Sequence, residues 1–159
     1  FTAEDRARAC EAALAAALRI NPADAEARLG WGRLLILRGQ IAQARSHLEE
    51  TLRRWPEANE ARALLAASCR EEGEAAASKE WESQHARWAA FLTRKAAIQA
   101  RLDRAGADHR THFELARLYA DMSLWKPARR ELELGMRRGP DPVGMALRRE
   151  LDRREPGRP

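Results

Sequence analysis

Residues 22–56 read PADAEARLGWGRLLILRGQIAQARSHLEETLRRWP. The stretch opens and closes on proline, and Pro22 and Pro56 stand 34 residues apart. The same offset recurs on both sides. Gly39 and Gly73 are 34 apart, as are Trp31 and Leu65, Gly32 and Ala66, and Leu35 and Cys69. Upstream it sets Cys10 under Ala44, Leu14 under Leu48 and Ala17 under Thr51. Near the end, Leu115-Ala116, Tyr119, Ala128, Leu132, Gly135 and Pro140 repeat the pattern a third time. Self-similarity at this period is the signature of stacked helix–turn–helix units. Small residues recur where two helices approach closely, large apolar ones where they interdigitate, and proline where the second helix stops.

These columns resemble the tetratricopeptide repeat family. Ala25 to Pro56 matches its pattern through Trp31-Gly32, Leu35, Ala44, Leu48, Thr51 and Pro56. His109 to Pro140 matches with Tyr119 in the aromatic column, and partial units extend the likeness from Asp5 to Pro140. The resemblance implies an all-α, right-handed α-solenoid whose first helices line a concave groove, commonly a protein or peptide site. In this frame residues 1–22 are the second helix of a repeat whose first helix lies upstream of Phe1. Residues 23–56 are a full repeat and 57–105 an atypical one with an extended second helix. Residues 106–140 are a further full repeat, 141–154 a capping helix and 155–159 a disordered tail.

Composition agrees with a helical solenoid. Of 159 residues, 33% are charged and 45% hydrophobic, with one tyrosine and three phenylalanines. Such a chain draws its stability from stacking neighbouring units. No apolar run approaches the roughly 18–20 residues that span a bilayer, and Phe1-Thr2-Ala3-Glu4-Asp5 lacks the plan of a signal peptide. The net charge is +5, but 26 of the 29 cationic residues are arginine, and alanine is abundant. A GC-rich bacterial genome accounts for both. The arginines alternate with acids, as in Arg53-Arg54-Trp55-Pro56-Glu57 and Arg129-Arg130-Glu131, which reads as a solvated helix surface rather than a nucleic-acid stripe. Cys10 and Cys69 lie 59 residues apart in packing columns without a CxxC neighbour, so they read as buried small hydrophobes. The bacterial cytoplasm and periplasm both remain open.

Start and stop signals predict eight helices. They run over Ala3–Arg19 (with Thr2 as N-cap and Asp5 completing a capping box), Ala25–Leu37, Ile41–Arg54 and Ala58–Glu72. The pattern then breaks. No proline or glycine occurs between Gly73 and Gly106, and Gly106 stands where the column proline should, 16 residues late. Helical spacing continues through Trp81, Trp88, Phe91-Leu92, Ile98 and Leu102, so Ala75–Arg104 is predicted to be one helix. Its length would be about 45 Å at a rise of about 1.5 Å per residue. It would leave the regular stack and carry the last unit away from the first two. Its stripe of Trp81, Trp88, Phe91, Leu92 and Ile98 would then be covered by that unit folding back or by a second chain. Trp81, Trp88 and Phe91 are therefore candidates for a second interface and for homo-oligomerisation. Gly106-Ala107-Asp108 opens the last unit, with helices over His109–Met122 and Leu124–Arg138 and Ser123 as a cap. Asp141-Pro142 starts the capping helix.

Little in the chain suggests catalysis. His109 and His112 sit three apart without a third ligand, and the sequence holds no phosphate loop, nucleophile elbow or HExxH. No cofactor, metal or small-molecule substrate is implied. The outward positions of the first helices remain. From the resemblance these include Leu29, Arg33, Ile36 and Leu37, then Arg70, then Arg110, Phe113 and Arg117. Co-chaperone members of the family clamp a C-terminal carboxylate with a lysine and two asparagines. Here Leu29, Arg33 and Leu64 stand in those places, which argues against that clamp. Mixed arginines and apolar residues suit an acidic-hydrophobic segment instead. The sequence thus reads as a non-catalytic adaptor or scaffold for a protein segment. A self-assembling array through the long helix and a nucleic-acid-associated repeat are the alternatives.

Overall fold

Phase and punctuation translate into helices at nearly the expected residues. In the computed structural model, which describes residues 2–105, 109–137 and 139–155, there are eight helices and no strand among the described residues. They are α1 (Ala3–Ile20), α2 (Ala25–Leu37), α3 (Ile41–Arg54), α4 (Asn59–Glu71), α5 (Ala75–Ala105), α6 (His109–Asp121), α7 (Trp125–Met136) and α8 (Pro142–Arg154). The fold is all-α, of the helical-repeat solenoid class. It divides into two compact units, Phe1–Ala89 and Ala90–Pro159, with the division inside α5. Gly106-Ala107-Asp108, Phe1, Arg138 and residues 156–159 lie outside the described residues.

The first unit is built by local chemistry at each turn. Thr2 and Asp5 form the capping box of α1, and the Asp24 carboxylate accepts from Ala27 N at 3.0 Å to start α2. Gly39 (φ 71°) and Gly73 (φ 75°) take the left-handed conformation after α2 and α4. There the amides of Gln40 and Glu74 reach back to the carbonyls of Leu35 and Cys69 at 2.9 and 2.8 Å. α2 packs on α1, α3 and α4, and α3 packs on α4. Leu48, Ala61 and Leu65 are fully buried at the centre, with Leu29, Ile36, Leu52, Leu64 and Trp81 packed around them. Each large side chain so buried contributes about 1.5–3 kcal/mol. Gly32 permits the close approach of α2 and α3, since a Cβ there would lie 2.7 Å from Leu48 Cδ2.

Arginine–glutamate ion pairs tie neighbouring helices at matching columns. Glu11 on α1 meets Arg38 at 2.6 Å, and Arg45 on α3 meets Glu72 at 2.7 Å and Glu74 at 3.0 Å. Hydrogen bonds from Arg38 lower the Glu11 pKa, and those from Arg45 lower that of Glu74.

In the second unit, α6 packs on α7 and α8, and α7 on α8. Phe113, Ala116, Ala120, Ala128, Leu132, Leu147 and Leu151 form its core, with Tyr119, Trp125 and Met136 against it. α8 starts on Asp141, whose carboxylate accepts from the amides of Val143 and Gly144 at 2.8 and 3.2 Å.

Several expectations need correction. Trp31 is half-buried, because Gly32 beside it takes the deepest place against Leu48. Cys69 is buried but Cys10 is exposed, since α2 is the single described helix that packs on α1. The stripe on α5 is not an open seam. Trp88, Phe91 and Ile98 are 8%, 2% and 8% exposed. Trp81 packs against the Leu48–Leu65 core, the Arg62 guanidinium covers the Trp88 ring, and Phe91 meets Tyr119 with ring centroids 5.8 Å apart. These side chains are therefore spent on packing within each unit. Ser123 is no cap: it sits at φ 58°, and the Leu124 amide bonds to Tyr119 O at 2.9 Å. It occupies the Gly39 and Gly73 column, one repeat length plus 16 residues later. Glu155, assigned to the tail, ends α8 and accepts from Arg129 Nε at 2.7 Å.

Candidate functional site

The positions read as groove-lining divide between the two units. In the first, Leu29 and Ile36 are half-buried against the Leu48–Leu65 core, while Leu37 is 84% exposed at the end of α2. Arg33 is paired with Glu60 on α4, and Arg70 with Glu82 on α5 at 2.5 Å. The first-unit arginines in this set are thus matched by acids of the same unit.

The second unit gathers its set into a concavity. Arg110, Phe113, Glu114 and Arg117 lie on one face of α6, at spacings of three, four and seven. With Val143 and Leu147 of α8 they line a cavity of about 440 Å³. Phe113 is 4% exposed, so it is the packed floor of this cavity and not an open anchor as expected. Its ring is held by Gly135 and Gly144, where an added Cβ would come within 2.4 and 2.6 Å of it. Val143, 53% exposed, is the most open apolar side chain lining this cavity. The acids here are engaged by arginines: Glu114 by Arg101 at 2.7 Å, and Glu150 by Arg154 at 3.1 Å and Arg117 at 3.4 Å. Hydrogen bonds that Arg154 donates to Glu150 and Asp121 raise its pKa and hold it protonated. The result is an apolar floor rimmed by guanidinium groups, which suits an acidic-apolar segment.

The histidines do not converge. His109 faces Asp141 at 3.5 Å, and His112 Nδ1 lies 2.8 Å from Glu131 Oε2. Among the described residues, no three His, Cys, Asp or Glu side chains come together as a metal site, and no helix is long and apolar enough to cross a membrane.

One recurring device escaped the sequence reading. Arg28 and Arg62 stand 34 residues apart, each six residues after a column proline. Arg28 donates from Nε and Nη2 to Pro22 O at 3.0 and 2.7 Å, and Arg62 from Nη1 to Pro56 O at 2.8 Å. Their guanidinium carbons lie 5.7 Å from the Trp55 ring and 4.3 Å from the Trp88 ring. Arg62 is only 5% exposed, and burial pushes its pKa down to about 10. The 34-residue spacing after proline was the signal that could have found the pair.

A family model described as tetratricopeptide repeat matches residues 1–68. No curated protein matches the chain. Tetratricopeptide repeats generally mediate protein–protein interaction and are generally non-catalytic. This match and the repeated columns support a tetratricopeptide repeat family for residues 1–68.

Proposed function

We propose that the chain is a non-catalytic adaptor or scaffold that holds a protein segment on the outward positions of its first helices. The observation that carries this reading is the cavity between α6 and α8, where Arg110 and Arg117 rim a floor made by Phe113 and Leu147. α8 packs on α6 as α4 packs on α2, so the capping helix extends the surface. The segment that fits is acidic and apolar. Leu29, Arg33, Ile36, Leu37 and Arg70 form the corresponding surface of the first unit.

A photo-crosslinking amino acid at Val143 tests the reading in the full chain. It should capture one acidic-apolar segment of one partner, mapped by mass spectrometry. Reversing both charges, Arg110→Glu with Arg117→Glu, should abolish capture while leaving helicity unchanged. Undiminished capture by the double variant would place the binding surface elsewhere.

A further inference from the structure

Arg62 is set apart from the other described arginines by being buried without a carboxylate partner. Arg33, Arg38, Arg45, Arg54, Arg70 and Arg129 each meet a carboxylate of the chain. Arg62, though 5% exposed, meets none among the described residues. Its Nη1 is bound to Pro56 O, its plane lies on Trp88, and its buried Nε has no acceptor. The third nitrogen, Nη2, also has no acceptor among the described residues. A buried cation without a counter-charge is costly, and such groups are normally paired. Even with its pKa at about 10, this one is protonated at neutral pH.

Arg62 lines the wall of a cavity of about 350 Å³, together with Glu49, Leu52 and Arg53 of α3 and Trp81 and Gln84 of α5. We propose that this cavity is a carboxylate site, in which Arg62 receives an acidic side chain carried on an apolar protein segment. The guanidinium fork matches a carboxylate in plane and spacing. Leu52 and Trp81 supply apolar walls for the residues that flank the acid, and Gln84 adds an amide. Glu49 on the same rim favours a singly charged carboxylate over a doubly charged phosphate. Arg28 shows why the site belongs to Arg62: there both Nε and Nη2 are turned to Pro22 O. None of the groove positions of the proposed function lines this cavity, so the two readings stand independently.

The test uses the full chain with arginine side chains labelled with ¹⁵N. The probes are an acetylated and amidated Leu-Glu-Leu peptide, 3-phenylpropionate and inorganic phosphate, each titrated separately. The peptide should shift the Arg62 Nε resonance saturably, and 3-phenylpropionate should compete with it. Arg62→Met, which keeps an unbranched stem over Trp88, should weaken peptide binding by about tenfold or more. Glu49→Gln should tighten it. No saturable shift, equal binding by phosphate, or unchanged binding in Arg62→Met overturns the proposal. A stability loss in Glu49→Gln that disappears in the double variant with Arg62→Met would show that Glu49 already neutralises Arg62, and also overturns it.

Discussion

Arg62 in the first unit and His112 in the second fill the same repeat column and meet opposite fates. His112 lies 50 residues after Arg62, the offset that also separates Ser123 from Gly73. In the second unit the column side chain finds a carboxylate, Glu131, at 2.8 Å, and both groups are largely covered. In the first unit the column side chain finds an aromatic face and a proline carbonyl but no acid. A repeat therefore fixes where a polar group is buried without fixing how it is satisfied. The paired column belongs to the architecture. The unpaired one leaves a hydrogen-bonding group available to something outside the chain.

That comparison requires the 16 extra residues to lie inside one helix, since they bring His112 into Arg62's column. Ala90→Pro breaks α5 at its middle, where proline removes a hydrogen bond and clashes with the preceding turn. It should cost about 3 kcal/mol or more in denaturant titration. An unchanged midpoint would sink the continuous helix. Next in size is Glu131→Leu, which leaves the His112 ring largely covered and without its partner. The expected loss is about 1–3 kcal/mol, and a neutral result would mean that the pair is no more than a surface contact.

Ser123→Gly should gain about 1 kcal/mol, because glycine takes the left-handed turn without the Cβ penalty that serine meets. A loss would show that the serine hydroxyl is needed at that turn. The smallest change is expected for Arg62→Met. Replacing a buried, unpaired cation by an apolar side chain of similar length should alter stability by less than about 1 kcal/mol. If this variant loses as much as Glu131→Leu, the two columns are alike after all.

The fold was legible because punctuation and packing repeat together: Pro22 with Pro56, Gly39 with Gly73, Gly32 with Ala66. The long helix was legible because nothing between Gly73 and Gly106 could stop it. What local signals could not show was which of two neighbours goes deepest, as Trp31 and Gly32 illustrate. Nor could they show that Ser123 does a glycine's work, since only its register with Gly39 and Gly73 marks it. For the candidate site, Arg110, Phe113 and Arg117 were expected from the family resemblance, and helical spacing puts them on one face of α6. Val143 and Leu147 did not, because α8 reaches them through tertiary packing. Trp81, Trp88 and Phe91 carried the right periodicity for an interface, but periodicity marks a buried face without saying what buries it.

Two of the first unit's ion pairs, Glu11–Arg38 and Arg45–Glu72, hold the same columns with their signs exchanged. Glu11 and Arg45 are 34 residues apart, as are Arg38 and Glu72. Exposed pairs of this kind contribute little to stability, but the exchange works as an address. Were α1 to settle where α3 belongs, Glu11 would confront Glu72 and Glu74, and α3 in the place of α1 would set Arg45 against Arg38. Hairpins built on one repeat risk trading places as they fold or between neighbouring chains. Here, alternating charge tells one copy of the repeat from the next.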